Sequence, residues 1–298
     1  RGGEQDHTGL AQARILERAG RAGGHVTRIA VSIVSTGECE RIGPCLQSLR
    51  DQDFEGSLTV VVVVNGPDDG TTAVTMALFP DAQIIRRDVP LGFAANHDAA
   101  LDSVEFDFGL VLNPDVVLER DCIAEFIAAM NRHPGAGLMA PLLSYPSGEP
   151  QPSARRFPRL AGTIARRTPL RRIFSDGVAT SRHFLAPPSG DRAIDWALGA
   201  CLFAREKAWR QVGGFDPGFA PLYVEDVDLA WRMWRAGWQV WQTPLARADH
   251  EHQAATDKVF FDRRTLWHAR GMLRFVRKHP RILVSGARPG SNEGELLA

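Results

Sequence analysis

The sequence predicts an α/β fold in which helices flank a central, mostly parallel sheet, with a Rossmann-like N-terminal half. One observation is the run of five consecutive valines at 60–64. Such a run lacks the alternation of a half-exposed strand and is typical of a strand covered on both faces, as in parallel sheets. The second observation is a regular alternation of strand and helix patterns from Arg28 onward, which favours β-α units.

The individual elements follow from composition and spacing. Residues 29–34 form a β-branched run that predicts the first strand, and Leu46 and Leu49 lie at helical spacing within a predicted helix 40–52. The valine run is the second strand. The remaining predicted elements are helix 71–79, strand 82–87, helix 94–104, strand 108–113 and helix 119–132.

Length and charge limit the classes of protein that fit. With 298 residues, of which 44% are hydrophobic, the chain can bury a sizeable core. Its 35 lysine and arginine residues equal its 35 aspartate and glutamate residues, which argues against a general nucleic-acid binder. The four cysteines have neither metal-finger spacing nor a small-domain disulfide pattern, so we expect buried thiols in a reducing cytosol.

Membrane segments are not expected from the sequence. No apolar stretch approaches the roughly 18 residues that a spanning helix needs. The polar residues 1–27 lack the apolar core of a signal peptide and are interpreted as a flexible extension without an assigned function. The glycine-rich and polar tail 281–298 is predicted to be disordered. We therefore expect a soluble or peripheral protein, and the oligomeric state stays open.

Two separated groups of carboxylates are candidates for a catalytic site. An apolar strand ends at Asn113-Pro114-Asp115, and ligands of open α/β sheets bind beyond the carboxyl ends of strands. A second group, Glu225, Asp226 and Asp228, occurs at the predicted start of a helix. Asn-Pro-Asp is also a common turn after a strand, and acids are favoured at helix N-termini by the macrodipole, so each group alone has a structural explanation. Together, the two groups suggest a metal and a base.

The turns between strands and helices argue against two common classes of nucleotide-binding protein. The first strand is not followed by Gly-x-Gly-x-x-Gly, and the chain contains no Gly-x-x-x-x-Gly-Lys-Ser/Thr, so dinucleotide dehydrogenases and P-loop phosphotransferases lose support. The second strand instead ends in a polar turn from Asn65 to Thr71. This turn could hold a base or ribose and cap the next helix, or it could be a plain turn.

Several short motifs follow one another along the chain. They are strand 60–65 with Asp69-Gly70-Thr71, Leu91 to His97, Leu112 to Asp115, Gly213 to Asp216, and Tyr223 to Asp228. As an ordered set, they resemble the family 2 glycosyltransferases, which are inverting enzymes with the GT-A fold. The resemblance extends from about Arg28 to His279. The segments 151–158, 166–168 and 195–201 are similar to the bacterial rhamnosyltransferase branch of that family.

The resemblance implies a metal site for Mg²⁺ or Mn²⁺. Hard oxygen ligands such as Asp115 suit these cations, which neutralise a diphosphate leaving group. The family has a three-residue acidic motif, of which this chain keeps only Asp115, so diphosphate and water would supply further ligands. The family's late histidine corresponds to His250, with His252 as an alternative. A surface histidine without a metal role is the competing interpretation.

The resemblance also assigns a catalytic base. Asp226 corresponds to the family's base, Glu225 to the residue that positions the base or acceptor, and Asp228 is expected to cap or orient the helix. Trp196 and Tyr223 flank polar motifs and are predicted to be sugar platforms. Three tryptophans at helical spacing are expected to pack in the core: Trp231, Trp234 and Trp238.

Two sets of binding residues follow from the matched motifs. The predicted donor-binding residues are Ser35, Asn65, Asp69, Gly92, Asn96 and Asn113. The predicted acceptor-binding residues are Trp196, Gly199, Tyr223, Arg155 and Arg156. Val64 departs from the family, which commonly has a base-reading aspartate at the end of the second strand. The donor pocket is therefore expected either to use backbone groups, Asn65 or Asp69 instead, or to accept a different nucleotide.

The loop 150–190 is rich in proline and arginine, with leucine and isoleucine interleaved. Such a basic amphipathic segment could dock on anionic lipid or on an acceptor diphosphate, and a solvated mobile loop is the competing interpretation. A weaker basic stretch lies at 274–281. The resemblance favours a lipid-linked acceptor at the cytoplasmic face of the membrane.

The sequence as a whole predicts one GT-A domain over 28–280. Residues 28–135 form the nucleotide-sugar-binding half and residues 136–280 the acceptor-binding half. The expected activity is metal-dependent inverting transfer of a sugar from a nucleotide diphosphate to a polysaccharide or polyprenyl-diphosphate-linked glycan, and the resemblance favours rhamnose as the sugar. The alternative is a non-catalytic glycan-binding or scaffold protein with the same fold. A sugar-nucleotide pyrophosphorylase loses support, because no glycine-rich basic loop follows the first strand.

Overall fold

The computed structural model describes residues 26–157, 185–251, 263–282 and 289. Most of the N-terminal extension, the greater part of the basic loop, His252 and most of the tail lie outside these described residues. In chain order the elements are β1 (Arg28–Ser35), α1 (Cys39–Arg50), β2 (Ser57–Asn65), α2 (Thr71–Leu78), β3 (Gln83–Arg87), α3 (Phe93–Asp102), β4 (Phe108–Leu112), β5 (Val116–Leu118), α4 (Cys122–Arg132), β6 (Ala136–Ser144), β7 (Ala154–Arg155), β8 (Arg192–Ala193), β9 (Trp196–Ala197), β10 (Cys201–Arg205), α5 (Glu206–Val212), a 3₁₀ turn (Pro217–Phe219), α6 (Glu225–Arg235), β11 (Gln239–His250) and α7 (Arg263–Lys278).

The main sheet confirms the α/β prediction. Its strand order is β3-β2-β1-β4-β10-β6-β11-β5, with β8 also paired to β11, and β7 and β9 form a separate two-stranded sheet. The pairs β1–β2, β1–β4 and β2–β3 are parallel, as the β-α alternation predicts. Strand β10 lies antiparallel between β4 and β6. It therefore joins the parallel N-terminal half to the remainder of the sheet.

The valine strand is covered on both faces. Val60, Val62 and Val64 pack in one hydrophobic cluster, and Val61 and Val63 pack in another on the opposite side. This follows from the two-residue period of a strand, which directs successive side chains to opposite faces. The prediction from the valine run is confirmed.

One predicted helix begins later than expected. The helix predicted at 119–132 starts at Cys122, because the short strand β5 at Val116–Leu118 and a turn come before it. This strand pairs antiparallel with the end of β11, so that Val116 lies opposite His250. A pairing partner so distant in sequence could not be recognised from the local pattern. This pairing brings two candidate site residues together.

The cysteines and tryptophans behave largely as predicted. All four cysteines are free thiols; Cys45, Cys122 and Cys201 are buried, whereas Cys39 is partly exposed. Trp231 is buried in the core, and Trp234 and Trp238 pack against the same cluster. Within the described residues, no helix is both long and apolar enough to cross a bilayer.

Candidate functional site

Asp115 and His250 form the first part of the site. The β5–β11 pairing places His250 beside Asp115, with 3.4 Å between Nε2 and a carboxylate oxygen. His250 is 3% exposed, and its Nδ1 lies 2.8 Å from the side-chain oxygen of Gln151. The interpretation of His250 as a surface histidine is therefore wrong. Gln151 was not singled out from the sequence as a site residue, although it begins a segment that resembles the rhamnosyltransferase branch.

The chemistry of these two side chains fits a cation. When Nδ1–H donates to Gln151, Nε2 presents its lone pair towards the Asp115 carboxylate. Two such acceptors facing one another favour a positive ion between them. Among the described residues, no group of three or more histidine, cysteine or acidic side chains could hold a metal. Asp115 and His250 thus offer a two-residue site that needs further ligands from a bound molecule or water.

Glu225 and Asp226, here called the acid pair, begin α6 after a strained turn. Tyr223 and Val224 have φ angles of 86° and 78°, in the left-handed region that β-branched and bulky residues rarely adopt. A side-chain carbon built on Gly271 of α7 would lie only 2.8 Å from the Tyr223 carbonyl oxygen. Close packing of α7 therefore supports the conformation that presents the acid pair.

Asp226 is held by two backbone N–H groups. Gly199 donates to one carboxylate oxygen at 3.2 Å and Val227 donates to the other at 2.8 Å. Burial raises the pKa of Asp226 and outweighs the opposing hydrogen bond from Val227 and charge of Arg155. The residue as a whole is partly exposed to solvent. A carboxylate fixed in this way, with a raised pKa, is suited to accept a proton.

Glu225 lies in a more apolar environment. Its side chain is 7% exposed, and one carboxylate oxygen is buried with no hydrogen-bond partner among the described residues. Burial, with a further contribution from the charge of Asp226, raises the pKa of Glu225 to about 8. Glu225 is therefore mainly protonated at neutral pH, so its charge does not oppose ionisation of Asp226.

Replacing Glu225 with glutamine should change how stability depends on pH. The folded wild type retains a proton that the unfolded chain releases between pH 4.5 and about 8, so the stability from this group is lost as pH rises through that range. Glutamine has no proton to release. Urea unfolding should show that the free energy of unfolding of the variant rises relative to that of wild type between pH 5 and pH 8, by more than about 1 kcal/mol. The exposed Glu119→Gln serves as a control; equal gains in both variants would contradict the assignment.

The loop before β10 links the two parts of the site. Asn113 donates its backbone N–H to Ala200 at 2.8 Å, and the adjacent Gly199 donates to Asp226. Asn113 is two residues from Asp115. The antiparallel pairing of β4 with β10 thus brings the end of β4, close to Asp115 in sequence, to the same short loop that contacts Asp226 on α6. The two carboxylate groups predicted from the sequence are brought into one region.

The predicted donor-binding residues mostly hold loops at the carboxyl edge of the sheet. Asn65 exchanges hydrogen bonds with both backbone groups of Leu91, and Asn96 donates to the Leu91 carbonyl. A side chain on Gly92 would lie 3.0 Å from Ala220. The absence of a side chain at Gly92 therefore lets this loop pack closely against Ala220, which precedes the acid pair in the chain.

Ser35 and Asp69 have similar bracing roles. The Ser35 hydroxyl lies 3.0 Å from the Thr71 hydroxyl, and Asp69 accepts hydrogen bonds from Thr71 and from the Cys39 backbone. Asp69 thereby ties the turn after β2 to the first turn of α1. Glu38, which is not among the residues predicted from the sequence, accepts a hydrogen bond from the Thr36 hydroxyl at 2.8 Å and shapes the neighbouring turn. No local motif identifies that contact.

The prediction for Trp196 is wrong. The indole is 6% exposed, donates to the Arg156 carbonyl at 3.0 Å, and lies beneath the Arg155 guanidinium at 5.1 Å from the ring centre. A covered ring cannot serve as an open sugar platform; it supports Arg155 instead. Tyr223 is partly exposed, with its ring 6.0 Å from that of His268, and Arg156 is exposed.

Asp228 does not cap α6 with its side chain. It is fully buried and accepts hydrogen bonds from Arg232, Lys278 and His279. Because Lys278 and His279 lie at the end of α7, Asp228 fastens that helix to α6. The expectation that Asp228 orients the helix agrees with this arrangement, whereas the capping alternative does not.

Comparisons with protein families and curated proteins agree with one another. Residues 30–184 match the model of glycosyl transferase family 2, and residues 110–287 match that of glycosyl transferase family group 2. An N-acetylglucosaminyl-diphospho-decaprenol L-rhamnosyltransferase from Mycobacterium tuberculosis is 32% identical over 217 residues, which cover 68% of this chain and 70% of the relative. Rhamnosyltransferase WbbL from Escherichia coli is 24% identical over 193 residues, covering 62% and 70%.

Solved structures show the same fold at low sequence identity. A mannosyltransferase from Pyrobaculum calidifontis, in complex with GDP-Man and Mn²⁺, has a TM-score of 0.56 and 17% identity; the match covers 92% of this chain and 74% of that one. GalNAc-T7 with UDP, GalNAc and Mn²⁺ has a TM-score of 0.60 and 11% identity, with coverages of 85% and 48%. These similarities show the GT-A fold.

Proposed function

Because the chain belongs to glycosyl transferase family 2 and is therefore a glycosyltransferase, we propose that it transfers L-rhamnose from a nucleotide diphosphate to a lipid-linked glycan, with inversion at the sugar carbon. The observation that supports this most strongly is the arrangement of the site. The loop at Gly199 and Ala200 contacts Asp226, a fixed acceptor of protons, and Asn113, which is two residues from the candidate cation site at Asp115. Inverting transfer needs a base, and a cation can stabilise the diphosphate as it leaves.

Asp115 and His250 would hold the divalent cation, together with oxygens of the donor diphosphate. When bound, Mg²⁺ or Mn²⁺ neutralises the negative charge that develops on the leaving diphosphate. Gln151 fixes the orientation of the His250 ring through Nδ1. Because this chain keeps only Asp115 of the family's acidic motif, the protein supplies few ligands to the cation. Cation binding should therefore depend strongly on the bound donor.

Asp226 accepts the proton of the attacking acceptor hydroxyl. As that oxygen forms its bond to the anomeric carbon, the bond from this carbon to the diphosphate oxygen breaks on the opposite face, which inverts the configuration. The N–H groups of Gly199 and Val227 orient the carboxylate before the acceptor arrives. A mainly protonated Glu225 limits charge repulsion beside Asp226.

The arginines beside the site support an anionic acceptor. Arg155 lies over Trp196 and contributes an attractive charge to Asp226, and Arg156 is exposed next to it. Guanidinium groups bind diphosphate oxygens well. The Mycobacterium tuberculosis relative is named for a diphospho-decaprenol acceptor. We infer that Arg155 and Arg156 bind the diphosphate of a lipid-linked acceptor.

The alternative function is a non-catalytic glycan binder, and Asp115→Ala tests the enzyme proposal against it. Calorimetry with a panel of nucleoside diphosphates should detect Mn²⁺-dependent binding to wild type. The variant should bind at least about tenfold more weakly, because replacing even the partners of metal ligands typically lowers affinity by that factor. Asp81→Ala, an exposed acid between α2 and β3, is the matched control. Glycan binding by wild type, with no nucleotide binding under any metal condition, would favour the glycan binder.

A further inference from the structure

Helix α7 concentrates positive charge in a chain that is neutral overall. The helix has six basic residues and no aspartate or glutamate, whereas the whole chain balances 35 basic against 35 acidic residues. The basic residues are Arg263, Arg264, Arg270, Arg274, Arg277 and Lys278. Such one-signed helices create a local field that attracts anionic surfaces.

The inner face of α7 is occupied by the protein. Gly271 and Phe275 are buried, and Arg274 and Lys278 form ion pairs with Asp216. Lys278 also pairs with Asp228. These contacts neutralise the cations nearest the body of the protein and fix the rotation of the helix. The opposite face is consequently presented in a defined orientation.

The outer face combines exposed leucines with unneutralised arginines. Leu266, Arg270, Leu273 and Arg277, here called the outer stripe, follow one another at spacings of four, three and four residues and so lie on one side of the helix. Leu266 is 71% exposed and Leu273 is 50% exposed. Within the described part of the chain, neither Arg270 nor Arg277 lies in an ion pair with a carboxylate.

We propose that the outer stripe docks α7 on an anionic lipid surface. Leucines on an interfacial helix bury their side chains at the boundary between headgroups and acyl chains, while arginines contact the negative headgroups. Basic residues near such a surface add electrostatic attraction that salt screens. Exposed leucines that alternate with arginines are therefore more stable at this boundary than in water.

Docking through this face would orient the catalytic site. On its inner side, α7 packs against the Tyr223–Val224 turn through Gly271, and this turn directly precedes the acid pair. A membrane bound to the outer stripe therefore lies one helix away from the strained turn. A role for this docking in presenting a lipid-linked acceptor to the site rests on the proposed function, whereas lipid binding itself does not.

Vesicle sedimentation of the full chain tests the docking surface without any sugar substrate. Wild type should sediment with vesicles of equal parts phosphatidylcholine and phosphatidylglycerol, less at high salt, and not with phosphatidylcholine alone. Arg270→Gln with Arg277→Gln should lower the partition coefficient about 30-fold. Leu266→Ser with Leu273→Ser should also lower it, which a purely electrostatic association would not show.

A matched pair of substitutions separates a defined surface from net charge. Arg50→Gln with Arg120→Gln removes the same charge from exposed positions outside α7 and should leave binding near the wild-type value. The proposal is overturned if wild type does not bind the anionic vesicles, or if the control pair loses as much binding as the α7 pair. It is also overturned if the leucine variant binds like wild type. That result would mean that the association is electrostatic alone, as for an outer face that binds an acidic protein instead of a membrane. Since no transfer reaction is measured, failure of this test leaves the transferase proposal standing.

Discussion

Asp226→Asn is expected to lower kcat by about 10²- to 10⁴-fold, the usual contribution of a general base. Asparagine preserves the size of the side chain, and its oxygen can still accept a hydrogen bond from Gly199 or Val227. It cannot accept the proton of the acceptor hydroxyl. The measurement is turnover across a panel of nucleotide sugars and lipid-linked acceptors with Mg²⁺ or Mn²⁺.

Donor binding distinguishes loss of the base from loss of the site. The asparagine variant should bind nucleoside diphosphate with near wild-type affinity, because Asp115 and His250 are unchanged. Asp121→Asn, which alters an exposed carboxylate at the start of α4, should keep full activity. Equal turnover by wild type and Asp226→Asn would show that another group accepts the proton.

The pH profile offers a second readout of the same role. Burial raises the pKa of Asp226, so its active anionic form is reached only at a pH above the ordinary aspartate range. In wild type, kcat should therefore rise with pH through this raised pKa. The acid limb should be absent from the residual activity of Asp226→Asn.

Asp228→Ala is expected to lower the free energy of unfolding by about 3 kcal/mol at neutral pH. The substitution leaves Arg232, Lys278 and His279 facing a buried position without their anion. We take the lower part of the usual range because the Lys278 side chain is 31% exposed and solvent screens part of its charge. Urea unfolding measures the difference.

At acidic pH, the difference in the free energy of unfolding between wild type and Asp228→Ala should become smaller. Burial raises the pKa of Asp228, but the hydrogen bond from His279 and the charge of Arg232 outweigh it, so the folded pKa lies below the ordinary value. A depressed pKa gives stability above the unfolded pKa that is lost as pH falls through the folded one. Asp102→Ala, which breaks the exposed ion pair with Arg210, should cost less than about 1 kcal/mol. Similar losses in the two variants would contradict the proposed anchoring of α7.

Local sequence patterns were sufficient for the elements of the N-terminal half. A strand covered on both faces needs apolar residues at successive positions, and the run 60–64 satisfies this condition wherever its partners lie. The order of motifs was likewise sufficient to predict the family. These features depend on residues close together in the chain, so the sequence alone determined the fold class and the reaction class.

Only the tertiary structure decided which side chains meet. His250 reaches Asp115 because β5 pairs with β11, and Gly199 reaches Asp226 because the loop before β10 lies beside α6. Trp196 became a buried support for Arg155 for the same reason. Contacts between distant segments depend on strand register and helix packing, which local periodicity does not specify. The sequence therefore determined that two groups of carboxylates exist, whereas the sheet determined that both lie near the loop before β10.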